Sequence, residues 1–294
     1  MKKITEKISG EVFILASCAG WGLFPILTNF GAKRMPPIWY AAVISLLSAV
    51  FLFFYLATHK GLRELFVKKV WPWILGVTLF IVIIPNFLIF TSAKYTSGIN
   101  TAMLLQTEVI FTFLFCWIFL GEKITRKKII GAFIVFIGTM AILYQGKFEL
   151  NIGDLGIIAA TTLYPLGNFC AKKALKMVSP ATILFVRQFL GGMTLLSLSF
   201  VLENWSQTDL LFRQNAGIIL VNGIFIMAIS RIWWYEGLKR VSLSTVASLS
   251  SAPAFSLLFA VFFFSEIPTL YQLAGFVIVM AGLLVLTRSK HAIP

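Results

Sequence analysis

Apolar runs of about twenty residues follow one another along the whole chain, each closed by a short cluster of polar, basic, glycine or proline positions. A helix of about twenty residues, rising about 1.5 Å per residue, crosses the ~30 Å hydrocarbon core of a bilayer. The pattern predicts ten transmembrane helices, at 11–32, 37–58, 71–92, 97–120, 127–145, 154–173, 180–202, 214–237, 242–264 and 270–287. The expected fold class is therefore an all-α membrane protein. Connections are short, so neighbouring helices are expected to run antiparallel.

The pattern is also written twice. SGINTAMLLQTEVIFTFLFCWIFLGEK, 97–123, returns as SLSTVASLSSAPAFSLLFAVFFFSEIP, 242–268. In both, small and hydroxylated residues precede a Phe/Leu-rich half that ends in a small residue and a glutamate. The helix that follows is IIGAFIVFIGTMAIL at 129–143 and LAGFVIVMAGLLVL at 273–286. At an offset of 143, Gly10-Glu11 aligns with Gly153-Asp154, Trp21 with Tyr164 and Pro37 with Pro180. The expected units are 1–148 and 149–294, five helices each. An odd number of helices makes the second unit enter the membrane from the opposite side, which predicts inverted repeats about an in-plane axis. Pro25 and Pro165 lie mid-span in the first helix of each unit, where a missing N–H permits a kink that either lines a cavity or is filled by packing.

Composition sharpens the class. The chain is 59% hydrophobic and 12% charged, with a mean hydropathy of +0.91. Its net charge of +14 would suit nucleic acid in a soluble protein, but the charges fall between apolar runs, so no nucleic-acid partner is expected. Of the 25 basic residues, eighteen fall in alternate connections and at the two ends, five in the other connections, and Arg187 and Arg231 within helices. That asymmetry places both termini in the cytoplasm. Glu6 and Glu11 and the lack of a cleavage site predict that the first run is a retained helix. Cys18, Cys116 and Cys170 lie inside apolar segments and read as core residues.

Charge inside a membrane costs about 2.5–3.5 kcal/mol on insertion scales, so intramembrane ionisable residues are candidates for function. Glu108 lies about eleven residues from either end of helix 4; it either binds a proton or an ammonium group, or is a neutral packing carboxyl. Arg187 and Arg231 lie about 10 Å below the inner surface at helical rise; they either snorkel or hold a carboxylate or phosphate. Trp21, Tyr164, Asn168, Gln188 and Ser251 complete the candidate substrate-binding set, with Asn100, Gln106, Thr107, Ser248, Trp233, Trp234 and Tyr235 as looser neighbours. No catalytic residue, metal ligand or cofactor is expected: HExxH, GxSxG and phosphate-loop motifs do not occur, and the two histidines fall in polar connections.

In motif order and duplication the chain resembles the drug/metabolite transporter (DMT) superfamily, specifically its ten-helix EamA type. The features are Trp21-Gly22 in the first helix, Arg187-Gln188-Phe189 in the seventh, and Ala93-Lys94-Tyr95-Thr96-Ser97 with Gly237-Leu238-Lys239-Arg240-Val241-Ser242 after the third and eighth. Glu108-Val109-Ile110-Phe111 with Gly121-Glu122, and Ala252-Pro253-Ala254-Phe255 with Ser265-Glu266, match its fourth-helix pattern. Ile44-Ser45 stands where the first half would carry the arginine, and Val109 where it would carry proline, so an asymmetric site is expected. The resemblance implies gradient-driven movement of small metabolites, often export, with a coupling proton as a partner. The opposite charges suggest an amino acid or related zwitterion crossing the inner membrane by alternating access. The alternatives are organic anions or nucleotide-like metabolites held by the arginines, and a passive channel.

Overall fold

The computed structural model describes residues 2–59, 61–120, 126–144, 151–206, 208–238, 240 and 252–287, and all regular structure among them is helical. α1 (Lys2–Ala32) and α2 (Pro37–Thr58) are continuous. The third apolar run divides into α3 (Trp71–Val77), a π-helical segment (Thr78–Ile83) and α4 (Ile84–Ala93). The fourth divides into α5 (Gly98–Leu104), a 3-10 turn (Leu105–Thr107) and α6 (Glu108–Leu120). After α7 (Arg126–Tyr144), the sixth run splits into α8 (Ile152–Thr161) and α9 (Tyr164–Ala174). α10 (Pro180–Leu202) leads to α11 (Thr208–Leu220), a second π segment (Val221–Ser230) and α12 (Arg231–Leu238). α13 (Ala252–Phe264) and α14 (Leu270–Thr287) close the described chain. Among the described residues, six spans are long and apolar enough to cross a bilayer, and α7, α13 and α14 carry shorter apolar stretches.

Local chemistry sets the breaks. Pro165 has no N–H to give the preceding turn, so the chain tightens at Thr162 and Leu163, whose N–H groups reach back three residues to Ala159 and Ala160. Pro25, by contrast, is carried inside a continuous α1. Ser97 Oγ and Asn151 Oδ1 accept N–H bonds at the starts of α5 and α8. Ser265 takes a positive φ of 52° just past α13, and Glu266 N–H bonds back to Ala260 O at 3.0 Å. That is the helix-ending geometry for which glycine is the usual choice.

α2 and α10 lie side by side, and each is capped by the connection that follows the other. At one end, Glu203 accepts N–H bonds from Ile38 and Trp39 at 2.8 and 2.7 Å. At the other, Glu64 accepts from Ser179 N and Thr182 Oγ1 at 2.7 and 2.6 Å. Proline at the first position of both helices sets φ and needs no donor, and the carboxylates satisfy the N–H groups beside it. A core of Phe24, Tyr40, Ile44, Phe90, Leu195 and Ile226 fills the space between α1, α2, α4, α10 and the second π segment. α7 and α14 touch backbone to backbone: a Cβ on Gly138 would lie 2.9 Å from Gly275 O, and one on Gly282 would lie 2.9 Å from Gly131 O.

Burial pushes the Glu64 carboxyl up, but the Ser179 and Thr182 side chains and the Ser179 N–H together hold it below the usual glutamate range. A depressed carboxylate adds stability that is complete above its unfolded pKa and is lost as pH falls through the folded one. Glu64→Gln is therefore expected to lower Tm by about 2–4 °C at neutral pH, the size of a lost cap. The gap from wild type should close on acidification in paired thermal melts; a gap that widens with acid would contradict the assignment.

Candidate functional site

Three helix breaks converge around Glu108. The 3-10 turn ahead of it is drawn tight by Thr107, whose Oγ1 lies 2.7 Å from Leu104 O and 2.7 Å from Thr161 Oγ1 on α8. Glu108 thus starts a new helix facing the break between α8 and α9. Asn168, one turn into α9, donates from Nδ2 to Glu108 Oε1 at 3.0 Å. Tyr164, the first residue of α9, lies within electrostatic reach of Glu108, Arg187 and Arg231 at once.

Arg231 is the first residue after the second π segment. Its Cζ lies 3.4 Å from the Trp21 ring centroid, and Trp21 stacks on Phe24 with centroids 4.6 Å apart. The guanidinium is placed by a reciprocal brace one residue away. Ser17 Oγ donates to Ser230 O at 2.8 Å and Ser230 Oγ donates to Ser17 O at 2.9 Å. Gly20 leaves room for that brace, since a Cβ there would sit 2.9 Å from Ser230 Oγ. Arg187, on the second turn of α10, is only 9% exposed.

Neither guanidinium donates a hydrogen bond among the described residues, and the Nε atoms of both are buried without a partner. Glu108 and Arg231 attract each other, yet no ion pair joins them: the carboxylate is held by Asn168 and the guanidinium by Trp21. Arg187 and Arg231 act on each other as like charges, and Tyr235 acts on both. Two desolvated cations with open N–H edges beside a separated carboxylate form a site that calls for an anionic group and tolerates a neighbouring cation. Glu108 is enclosed by protein yet keeps accessible surface, as a cavity wall does.

The other candidates divide. Gln188 is buried in the packing between α10 and the second π segment, with Nε2 3.6 Å from Met227 Sδ. Asn100 joins a separate polar network at the opposite end of α5. Ser251 and Ser248 lie outside the described residues, as does Gly121-Glu122. Ser17, Ser230 and Thr161 were not singled out by the sequence; as small hydroxylated residues in apolar helices they look like ordinary packing. Among the described residues no cluster of His, Cys, Asp and Glu could hold a metal ion.

The EamA-like transporter family model matches this chain twice, over residues 8–144 and 151–288. The chain is 25% identical to a "Probable amino-acid metabolite efflux pump" of Salmonella typhimurium, over 90% of this chain and 89% of that protein. It is 24% identical to the transporter YyaM of Bacillus subtilis, over 68% of this chain and 67% of that one. A solved crystal structure superposes with a TM-score of 0.66 at 17% identity, covering 94% of this chain and 96% of the other, and so shares the fold.

Proposed function

Since the chain belongs to the EamA-like transporter family, a family of multi-pass membrane transporters, we propose that it exports an amino acid or related zwitterion across the inner membrane. The observation that carries this reading is a pair of guanidiniums that donate no hydrogen bond among the described residues, gathered with the Glu108–Asn168 bond around Tyr164. A substrate carboxylate takes the N–H edges of Arg187 and Arg231, and its ammonium takes the free side of Glu108. The Salmonella relative's name agrees with that class.

In this reading ten helices form two inverted repeats, 1–148 and 149–294, with both termini cytoplasmic. The end carrying Glu64 and most of the basic residues then faces the cytoplasm, and the end carrying Thr96 faces outward.

A thermal-shift screen of the detergent-solubilised protein against amino acids, nucleosides and organic acids tests the proposal, because a ligand that binds only the folded state raises the midpoint. Stabilisation by zwitterions is expected. Stabilisation by anions alone would reassign the substrate to the two arginines, and silence across the panel would overturn the substrate class.

A further inference from the structure

A second buried carboxylate lies outside the central site. Asp154, in the first turn of α8, is 5% exposed. Its Oδ1 accepts a hydrogen bond from Thr96 Oγ1, in the turn between α4 and α5, and a bond from Asn100 Nδ2 of α5 at 3.5 Å. Gln272 of α14 extends the chain by donating from Nε2 to Asn100 Oδ1 at 2.7 Å. Beside it, Asn29 of α1 donates to Ala93 O and Thr96 O, both at 2.7 Å, and Glu266 accepts from Gly98 N at 2.9 Å. A Cβ on Gly153 would lie 2.6 Å from Ser92 O, so the Asp154 turn is pressed directly onto the end of α4. Helices from both halves thus meet at one carboxyl.

Its donors are neutral. The elements packed on α8 bring Lys94 and Tyr95 in the exposed turn, Glu108 of α6, and Tyr164, Cys170, Lys172 and Lys173 of α9; Glu266 lies in the neighbouring connection. None of these places its charge on Asp154, whose partners among the described residues are Thr96 and Asn100. The Lys94 charge acts on Glu203 instead. A carboxylate held by a hydroxyl and an amide, with no cation acting on it among the described residues, is bound most tightly when ionised, since hydrogen bonds to a charged acceptor are about twice as strong as neutral ones. Adding one proton turns it into a group that holds both donors weakly.

We propose that Asp154 is a proton-binding site that latches the outer end of the bundle: ionised, it ties α8 to α4, α5 and α14, and protonation from the outer side releases them. This rests on the transporter reading above for its orientation, and gives that transporter a point where external acid promotes outward opening and release of cargo.

Hydrogen exchange of the full chain in lipid nanodiscs, without substrate, tests the latch. Rates at about pH 8 and about pH 3, which lie on either side of the ordinary aspartate value of about 3.9, are corrected for intrinsic amide chemistry. Amides in 93–101 and 151–156 of the wild type are expected to lose about tenfold in protection on acidification, the difference between a charge-assisted and a neutral hydrogen bond. Asp154→Asn is isosteric with the protonated acid and should sit at the low level at both pH values. Thr96→Val keeps the carboxyl and removes one donor, so it should lose protection at about pH 8 and respond less to acid. The proposal is overturned if wild-type protection ignores pH, if Asp154→Asn retains the pH response, or if Thr96→Val matches wild type. A failure of the zwitterion reading leaves these exchange rates untouched, and a failure of the latch leaves ligand stabilisation untouched.

Discussion

Glu108→Gln is expected to cut affinity for a zwitterionic substrate at least about 30-fold and leave the fold intact. Glutamine keeps the volume and a side-chain oxygen for the Asn168 amide, so packing and that hydrogen bond persist. Only the charge is lost. Removing one partner of a buried, hydrogen-bonded charge pair costs about 2–5 kcal/mol, and the lower bound corresponds to about 30-fold. Equilibrium binding of the hit from the ligand screen, alongside thermal melts without ligand, measures both halves of the expectation. Wild-type affinity in the variant would reduce Glu108 to a packing carboxyl.

Arg231→Ala is expected to have a loss of similar size for carboxylate-bearing ligands, with Arg231→Lys recovering little of it. The guanidinium carbon lies 3.4 Å from the Trp21 ring centroid, and its planar fork suits a carboxylate. Lysine offers a point charge with neither the plane nor the fork. Removal of the stacked cation also changes the surroundings of the Trp21 indole, and ligand titration should show a smaller change in tryptophan emission in the alanine variant. Unchanged affinity in Arg231→Ala would assign carboxylate binding to Arg187 alone. The Arg231 guanidinium packs on the Trp21 face, and its Nε is buried.

The helical class was legible because length and hydropathy alone decide whether a segment crosses a bilayer. Of the candidate site, Glu108, Arg187 and Arg231 stood out because charge in an apolar run is rare, and the structure brings all three within reach of Tyr164. Asn168 was legible only as a polar residue at about the right depth. Gln188 shows the limit of depth as a guide: it neighbours Arg187 in sequence, but the next residue on a helix points about 100° away, here into Met227. Ser265-Glu266 was read as a motif; its physical content, a positive φ and a carboxylate turned onto Gly98 N, depends on a helix far away in sequence. Asp154 appeared only as the counterpart of Glu11, since nothing near it in the chain announces Thr96 or Gln272. Contacts between residues more than fifty positions apart leave no local periodicity to read.

The crossed carboxylate caps on α2 and α10 bear on how the protein is made. The acceptor for the Ile38 and Trp39 N–H groups is Glu203, 165 and 164 residues further along the chain. While the ribosome is still producing the first half, those donors lack their Glu203 acceptor and depend on water, until α10 and its trailing connection have been made. A first half synthesised alone would carry an open helix start, and a second half alone would lack Glu64 for Ser179 and Thr182. Supplied as two separate chains, the halves should accumulate only when co-expressed, each completing the other's helix after insertion.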